Sequence, residues 1–250
     1  MSQEFNVWEG IYNDFDDAPS IGSGFESETW VQKSVLKIKD VLKQAKRTEN
    51  YVFENIPLYT IASIVYSEKK SLKVLDFGGG MGNTYVPLVH TLPQSTGLDF
   101  WVVEGHENVC AAKKIFEKDA HINFSTTLPE TNDVDIVHIS SSLQYIDDWE
   151  SLISLLSKYN AQYFIFTDLP AGNIKHTYVS LQNYYESKIA HTFFKLEDIL
   201  TVLKKFGYEL ILKNNFQANI LQVNKHYPQN NFPEEFRIKY GKNLVFKRVK

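Results

Sequence analysis

The sequence predicts an α/β fold: a mostly parallel sheet wrapped by helices on both faces, preceded by a helical extension. Three observations carry this expectation. Short apolar runs of strand length alternate with segments whose apolar residues recur at three- and four-residue steps. The first clear strand, 72–77, runs straight into Gly78-Gly79-Gly80-Met81-Gly82-Asn83. With 250 residues, 43% of them apolar and 22% charged, the chain is long enough for one full-sized core.

Taken in order, residues 1–26 are rich in Asn, Asp, Ser, Gly and aromatics and hold no period, so they read as a loop-rich lead-in. Its aromatics, Trp8, Tyr12, Phe15 and Phe25, argue that it packs onto something, a lid being one candidate. From Ser27 the spacing of Val31, Val35, Ile38, Leu42 and Ala45 is helical. The apolar segment 51–66 is interrupted by Pro57 and predicts a helix from about Leu58. After the glycine turn, Tyr85, Leu88, Val89 and Leu92 mark a helix that Pro93 ends. Strands follow at 98–103, 122–124, 134–139 and 163–167, with helices at about 106–116 and 149–159 between them. A polar, aromatic stretch at about 172–195 reads as an insertion. Leu196, Ile199, Leu200, Leu203 and Phe206 predict a helix closed by Gly207, then a strand at 208–213. Residues 214–242 are irregular, and 219–223 and 243–247 look extended. Two regions result: an extension or lid over 1–70, and an α/β domain over 71–250.

The formal net charge of −4 gives no general attraction to nucleic acid or to an anionic membrane. A single cysteine, Cys110, excludes an internal disulfide framework and falls where a small core residue would sit in a helix. No basic, apolar leader opens the chain, and no apolar run is long enough for a bilayer. A cytoplasmic protein without a membrane span is expected.

The glycine loop has to be fitted to a ligand. Glycines let the backbone take positive φ and let a ligand approach the main chain. The dinucleotide spacing G-x-G-x-x-G, begun at Gly78, reaches Asn83 where its last glycine belongs. Begun at Gly79, it places Met81 at the second glycine. The spacing Asp76-x-Gly78-x-Gly80-x-Gly82 fits without exception. It resembles the first motif of class I S-adenosylmethionine-dependent methyltransferases.

That resemblance implies a Rossmann-like, seven-stranded sheet and S-adenosyl-L-methionine as cofactor, with S-adenosyl-L-homocysteine as product. It assigns the amino-acid end of the cofactor to Asp76 and the loop Gly78, Gly79, Gly80, Gly82 and Asn83. Glu104, ending the second strand, would take both ribose hydroxyls, a task suited to an acceptor-only carboxylate. Ser125 would border the adenine, and Ser140 would begin the loop between cofactor and acceptor. Residues 208–213 and 243–247 become the sixth and seventh strands. The runs VLDFGGGMGNTY, SLQYIDDW, TDLPAG, HTYVSLQNYY and NLVFKR also resemble methyltransferases found among bacterial surface-polysaccharide and capsule genes. This narrower likeness implies a carbohydrate-type acceptor: a sugar, a nucleotide-linked sugar or another capsule decoration. A monomer or homodimer is expected.

Methyl transfer is an in-line displacement, so the protein mainly aligns the partners, and a hydroxyl acceptor also needs a base. His176 is the first candidate for that base, with His191 second. His138 reads as a satisfied core histidine, and His106 as bordering the adenine or starting a helix. Asp168, at the end of the fifth strand, would orient acceptor or base, and Gln144 and Tyr145 would position a hydroxyl. Asp147, Asp148 and Asp168 raise a metal-dependent variant, but Leu169 stands where another oxygen ligand would help, and no metal is assigned. Two other readings stay open: an NAD(P)-dependent oxidoreductase, and a non-catalytic S-adenosylmethionine-binding partner protein.

Overall fold

The computed structural model describes residues 5–46, 56–131, 133–184, 187–217, 219–220, 223–224 and 226–249. The first part of the apolar segment expected at 51–66 lies outside these residues.

In chain order the elements are β1 (Trp8–Tyr12), α1 (Glu28–Ala45), α2 (Pro57–Lys69), β2 (Leu72–Phe77), α3 (Tyr85–Thr91), β3 (Leu98–Val103) and α4 (His106–Ile115). Then come β4 (Ile122–Ser125), β5 (Ile136–Ser140), α5 (Trp149–Ser157), β6 (Tyr163–Leu169), β7 (Ala171–Gly172), β8 (Tyr178–Tyr184) and β9 (Ser187–Lys195). The chain closes with α6 (Leu196–Lys205), β10 (Tyr208–Phe216), β11 (Asn219–Ile220), β12 (Val223–Asn224) and β13 (Gly241–Arg248). The main sheet has seven strands in the order β10-β13-β6-β5-β2-β3-β4. The alternation of apolar runs and helical segments therefore gave the expected mostly parallel sheet. No helix among the described residues is long and apolar enough to cross a membrane.

The chain divides into two compact units. One comprises 25–140 and 156–165. Here β2 is flanked by β3 and β5, and β3 by β4, all in parallel. Ser27 caps α1 by accepting the Trp30 N–H at 3.3 Å, and Ile38 and Ala45 are its buried residues. Leu92 takes the extended conformation demanded before Pro93, which ends α3 one residue earlier than the apolar pattern alone suggests. Asp135 ties the start of the sheet together: it pairs with Lys69 and accepts the Lys73 N–H at 2.8 Å. The core expectation for Cys110 is corrected. The buried residues of α4 are Asn108, Val109 and Ala112, and one step beyond Val109 turns Cys110 out to solvent, where its Sγ lies 3.5 Å from His106 Nε2.

The other unit comprises 1–24, 141–155 and 166–250. It holds a second sheet, ordered β1-β8-β9-β7, in the stretches where the sequence predicts a loop-rich lead-in and an insertion. β8 and β9 form an antiparallel hairpin from Tyr178↔Phe193 to Tyr184↔Ser187, and β1 adds antiparallel to β8. The expected lead-in is thus partly a strand. Its pattern was hidden because one end of the hairpin is buried on both faces: Tyr178 to Leu181 and Ala190 to Phe194 are all buried, polar residues included. Ser180 meets that burial by donating to the Glu9 carbonyl at 3.1 Å. β10 and β13 run antiparallel over Tyr208↔Arg248 to Phe216↔Gly241, longer than the expected 208–213 and 243–247. Gly207, with φ of 81°, is the left-handed residue that releases the chain from α6.

Trp8 anchors β1. It is 3% exposed and stacks on Tyr227 at 5.2 Å while meeting Phe193 edge-on at 5.4 Å. Trp8→Ala should cost about 3–5 kcal/mol of unfolding free energy, a range typical of emptied aromatic core positions, measured by chemical denaturation.

Candidate functional site

The first candidate site belongs to the unit of β2 to β5 and grows from the carboxyl end of β2. Asp76 lies opposite His138 in the β2–β5 register, so two polar side chains meet inside a parallel sheet. Both are fully buried. His138 Nδ1 stands 2.8 Å from Asp76 Oδ1, and the Thr84 hydroxyl donates to Asp76 Oδ2. The histidine read as a satisfied core residue is satisfied by the first acidic residue of the glycine motif.

The loop wraps around this carboxylate. A Cβ at position 79 would overlap Asp76 Oδ2, so only glycine fits there. Gly78, Gly80 and Gly82 all take positive φ, at 66°, 59° and 81°. These are the three glycines of the spacing that separated this loop from the dinucleotide pattern. Gly82 also sits where a Cβ would come within 2.9 Å of Ile122, so the turn is closely packed. Asn83 Oδ1 is buried without a hydrogen-bond partner.

Glu104 follows β3 and is held by backbone on one side and donors on the other. Its N–H donates to the Ser125 carbonyl at 3.0 Å, which extends the β3–β4 ladder by one step. Its carboxylate accepts the Gly80 N–H at 2.9 Å and the Gly105 N–H at 3.0 Å, and the Asn108 amide lies 3.4 Å away. Asp76, Gly78, Gly79, Gly80, Gly82, Asn83 and Glu104 are therefore one local structure, with Ser125 adjoining it through that ladder bond. Ser140, half-buried, ends β5. Three members were missed from sequence: His138 and Thr84, which hold Asp76, and Asn108. Asn108 stands four residues after Glu104 at the start of a helix, a spacing that could have flagged it.

The second candidate site lies in the other unit, around Tyr145 and Asp168. Tyr145 ends a 3₁₀ turn (Leu143–Tyr145) and its hydroxyl donates to Gln182 Oε1 at 2.8 Å. Asp168 takes a left-handed φ of 50°, fixed by the Asn243 side chain accepting its N–H at 3.1 Å. The Tyr227 hydroxyl donates to Asp168 Oδ1 at 3.3 Å. A Cβ at Gly241 would come 2.9 Å from that same oxygen, so the glycine leaves room for the carboxylate. Burial first, and Asp168 second, push the Tyr227 hydroxyl well above its ordinary pKa; burial, with a further push from Asp168, also raises that of Tyr145.

His191 packs its ring against Tyr145 at 5.4 Å and against Trp8 at 5.5 Å. It is 2% exposed, and burial pulls its pKa down to about 3, which keeps the imidazole neutral. His176, the first sequence candidate for a base, is exposed, with its ring against Phe236 at 5.1 Å. No hydrogen bond or ring contact joins it to Gln144, Tyr145 or Asp168. The histidine brought to Tyr145 is His191. Asp148 serves as a helix start, accepting the Ser151 N–H at 3.0 Å, and Asp147 is exposed beside it. Among the described residues no three His, Cys, Asp or Glu side chains are grouped to hold a metal ion.

No protein-family model matches the chain, and no curated protein sequence does either. Solved structures do match. A chain in the complex of the Haloferax volcanii Trm112 methyltransferase activator with a candidate methyltransferase superposes with a TM-score of 0.54 at 14% identity, over 88% of this chain and 94% of that one. A candidate S-adenosylmethionine-dependent methyltransferase of Listeria monocytogenes gives 0.51 at 13%, over 74% and 98%. This is the class I methyltransferase fold. A glycopeptide N-methyltransferase in complex with S-adenosyl-L-homocysteine gives 0.50 at 13%, over 84% and 97%. At these identities the likeness speaks for the fold.

The buried His191 makes a pH prediction. Its folded pKa, about 3, lies below the ordinary 6.5, so the unfolded chain takes up the proton first. Its contribution to stability is complete above pH 6.5 and is lost as pH falls toward 3. Denaturation curves should show a loss of about 4 kcal/mol over that window, at about 1.4 kcal/mol per unit, that is absent in His191→Phe.

Proposed function

We propose that the protein is an S-adenosylmethionine-dependent methyltransferase that O-methylates a carbohydrate-type small molecule. The single observation that carries the cofactor side is the glycine loop folded around Asp76 with the Glu104 carboxylate against it. An acceptor-only carboxylate bonded to a glycine N–H suits a nucleoside diol, because it can receive two hydroxyl donors at once. The unpartnered Asn83 Oδ1 in the same loop offers a further acceptor. When bound, the cofactor supplies a methyl group already activated on a sulfonium. Asp76, Gly78, Gly79, Gly80, Gly82, Asn83, Glu104, Ser125 and Ser140 are the residues proposed to hold it.

The acceptor is assigned to Gln144, Tyr145 and Asp168. Asp168 would orient an acceptor hydroxyl or accept its proton as the oxygen attacks; its half-buried position, its hydrogen bonds to Asn243 and Tyr227 and the room left by Gly241 support that role. His176 stays a candidate base through its place in sequence alone, in the polar, aromatic segment just beyond β6. The carbohydrate class rests on the likeness to surface-polysaccharide methyltransferases and on the hydroxyl and amide groups of Tyr145, Tyr227, Gln144 and Gln182 gathered around the single carboxylate Asp168. The dinucleotide reading is disfavoured by the same loop: the positive-φ glycines are 78, 80 and 82, and Asn83 occupies its third glycine position.

Glu104→Ala should weaken S-adenosylhomocysteine binding by at least about tenfold, the loss expected for one charge-assisted hydrogen-bonding group, by titration calorimetry. NADH titrated in parallel should show no saturable binding. Asp168→Asn should retain cofactor affinity yet lose about 10²–10⁴-fold in turnover on an authentic acceptor, the range for a positioned acid–base group.

A further inference from the structure

Among the described residues of the unit of Tyr145 and Asp168, three buried polar atoms have no hydrogen-bond partner: Trp8 Nε1, His191 Nδ1 and Gln144 Oε1. Their side chains are 3%, 2% and 3% exposed. They come from three separate places in the chain, namely β1, β9 and the turn after β5. Even so, they belong to one cluster. The Trp8 and His191 rings meet at 5.5 Å, His191 and Tyr145 at 5.4 Å, and Gln144 precedes Tyr145 in the same 3₁₀ turn. An orphaned buried polar atom is costly, and three in one cluster work against the fold. The partly exposed Tyr145, Gln182 and Asp168 border the cluster.

Building on the methyltransferase reading above, we infer that Trp8, His191 and Gln144 form a recognition site for adjacent hydroxyls of a neutral, polyhydroxylated ring. The chemistry of the orphaned atoms selects that class. The indole N–H can only donate and the amide oxygen can only accept, while neutral imidazole does either according to tautomer. A carboxylate or phosphate would answer the indole but leave Gln144 unpaired, beside Asp168 and with no lysine or arginine among the described residues of the cluster. An ammonium group would answer Gln144 and Asp168 but leave the indole unpaired. Hydroxyls both donate and accept, so two or three on one ring satisfy all three atoms. The lead-in strand β1 thereby becomes a specificity element, because it carries the one obligate donor.

The test uses the full chain, ¹⁵N-labelled at tryptophan and saturated with S-adenosylhomocysteine. The Trp8 indole resonance is assigned by its loss in Trp8→Phe. Methyl β-D-glucopyranoside, D-glucosamine and methyl β-D-glucuronate are then titrated to about 100 mM, a range that detects fragment-strength binding. The neutral glycoside should move the Trp8 resonance, and bind at least about threefold more weakly to Gln144→Met and His191→Phe. No movement, or equal binding of either charged sugar, overturns the inference. Thermal midpoints give an independent arm: Trp8→Phe, His191→Phe and Gln144→Met each delete an orphaned atom, and of the three only Trp8→Phe gives up appreciable volume. Their midpoints at neutral pH should be unchanged or higher by up to about 4 °C. A clear drop in all three, or failure of Trp8→Phe to fold, would show the atoms to be paired within the fold and end the idea. Sugar binding without S-adenosylhomocysteine binding would refute the methyl-transfer reading and leave this site standing.

Discussion

The burial of the Asp76 carboxylate organises the loop at the end of β2. A carboxylate cannot sit inside a parallel sheet without partners, so its neighbours are constrained. His138 must stand opposite on β5, Thr84 must reach back from the far side of the turn, and position 79 must lack a side chain. Once those are met, the backbone has to pass over the carboxylate in a tight series of positive-φ glycines. That path delivers the Gly80 N–H to Glu104. One buried group thus couples two strands, a turn and the acidic end of a third strand.

Much of this was readable in the chain, because the loop is contiguous and its spacing is tied to backbone conformation. The glycines at 78, 80 and 82 stand out in sequence for the same reason they take positive φ. The partner of Asp76 was not readable, because strand register alone brings His138 to it across 62 residues. The hairpin of β8 and β9 escaped for a different reason. Alternation marks a strand only when one face is wet, and Ser180, His191 and Thr192 are buried polar residues that break the apolar pattern. Cys110 misled because helical spacing admits two adjacent residues near one face, and burial selected Val109.

The two candidate sites use strain differently. In the glycine loop, left-handed backbone carries no steric strain because glycine supplies it. Around Tyr145, left-handed backbone falls on Ser141 and Asp168, with φ of 49° and 50°, where a side chain is needed as well. Asp168 is held there by Asn243 through its own N–H, with Gly241 clearing space for the carboxylate. Residues from β13 therefore fix the conformation of the group that ends β6. A polar constellation so dependent on distant segments leaves little trace in local sequence.

The pairing of β1 with β8 has a consequence for biosynthesis. Trp8 faces Gln182 across the ladder and packs on Tyr227, so its partners lie some 174 and 219 positions later in the chain. A ribosome therefore releases the amino-terminal strand long before anything exists to receive it. For most of translation this aromatic segment must stay unpaired, exposed to chaperones, proteases and other nascent chains. Completion of the second sheet is deferred until β9, which ends at Lys195 of 250 residues, has emerged, and the Tyr227 contact comes later still; the long loops so closed favour slow, late docking.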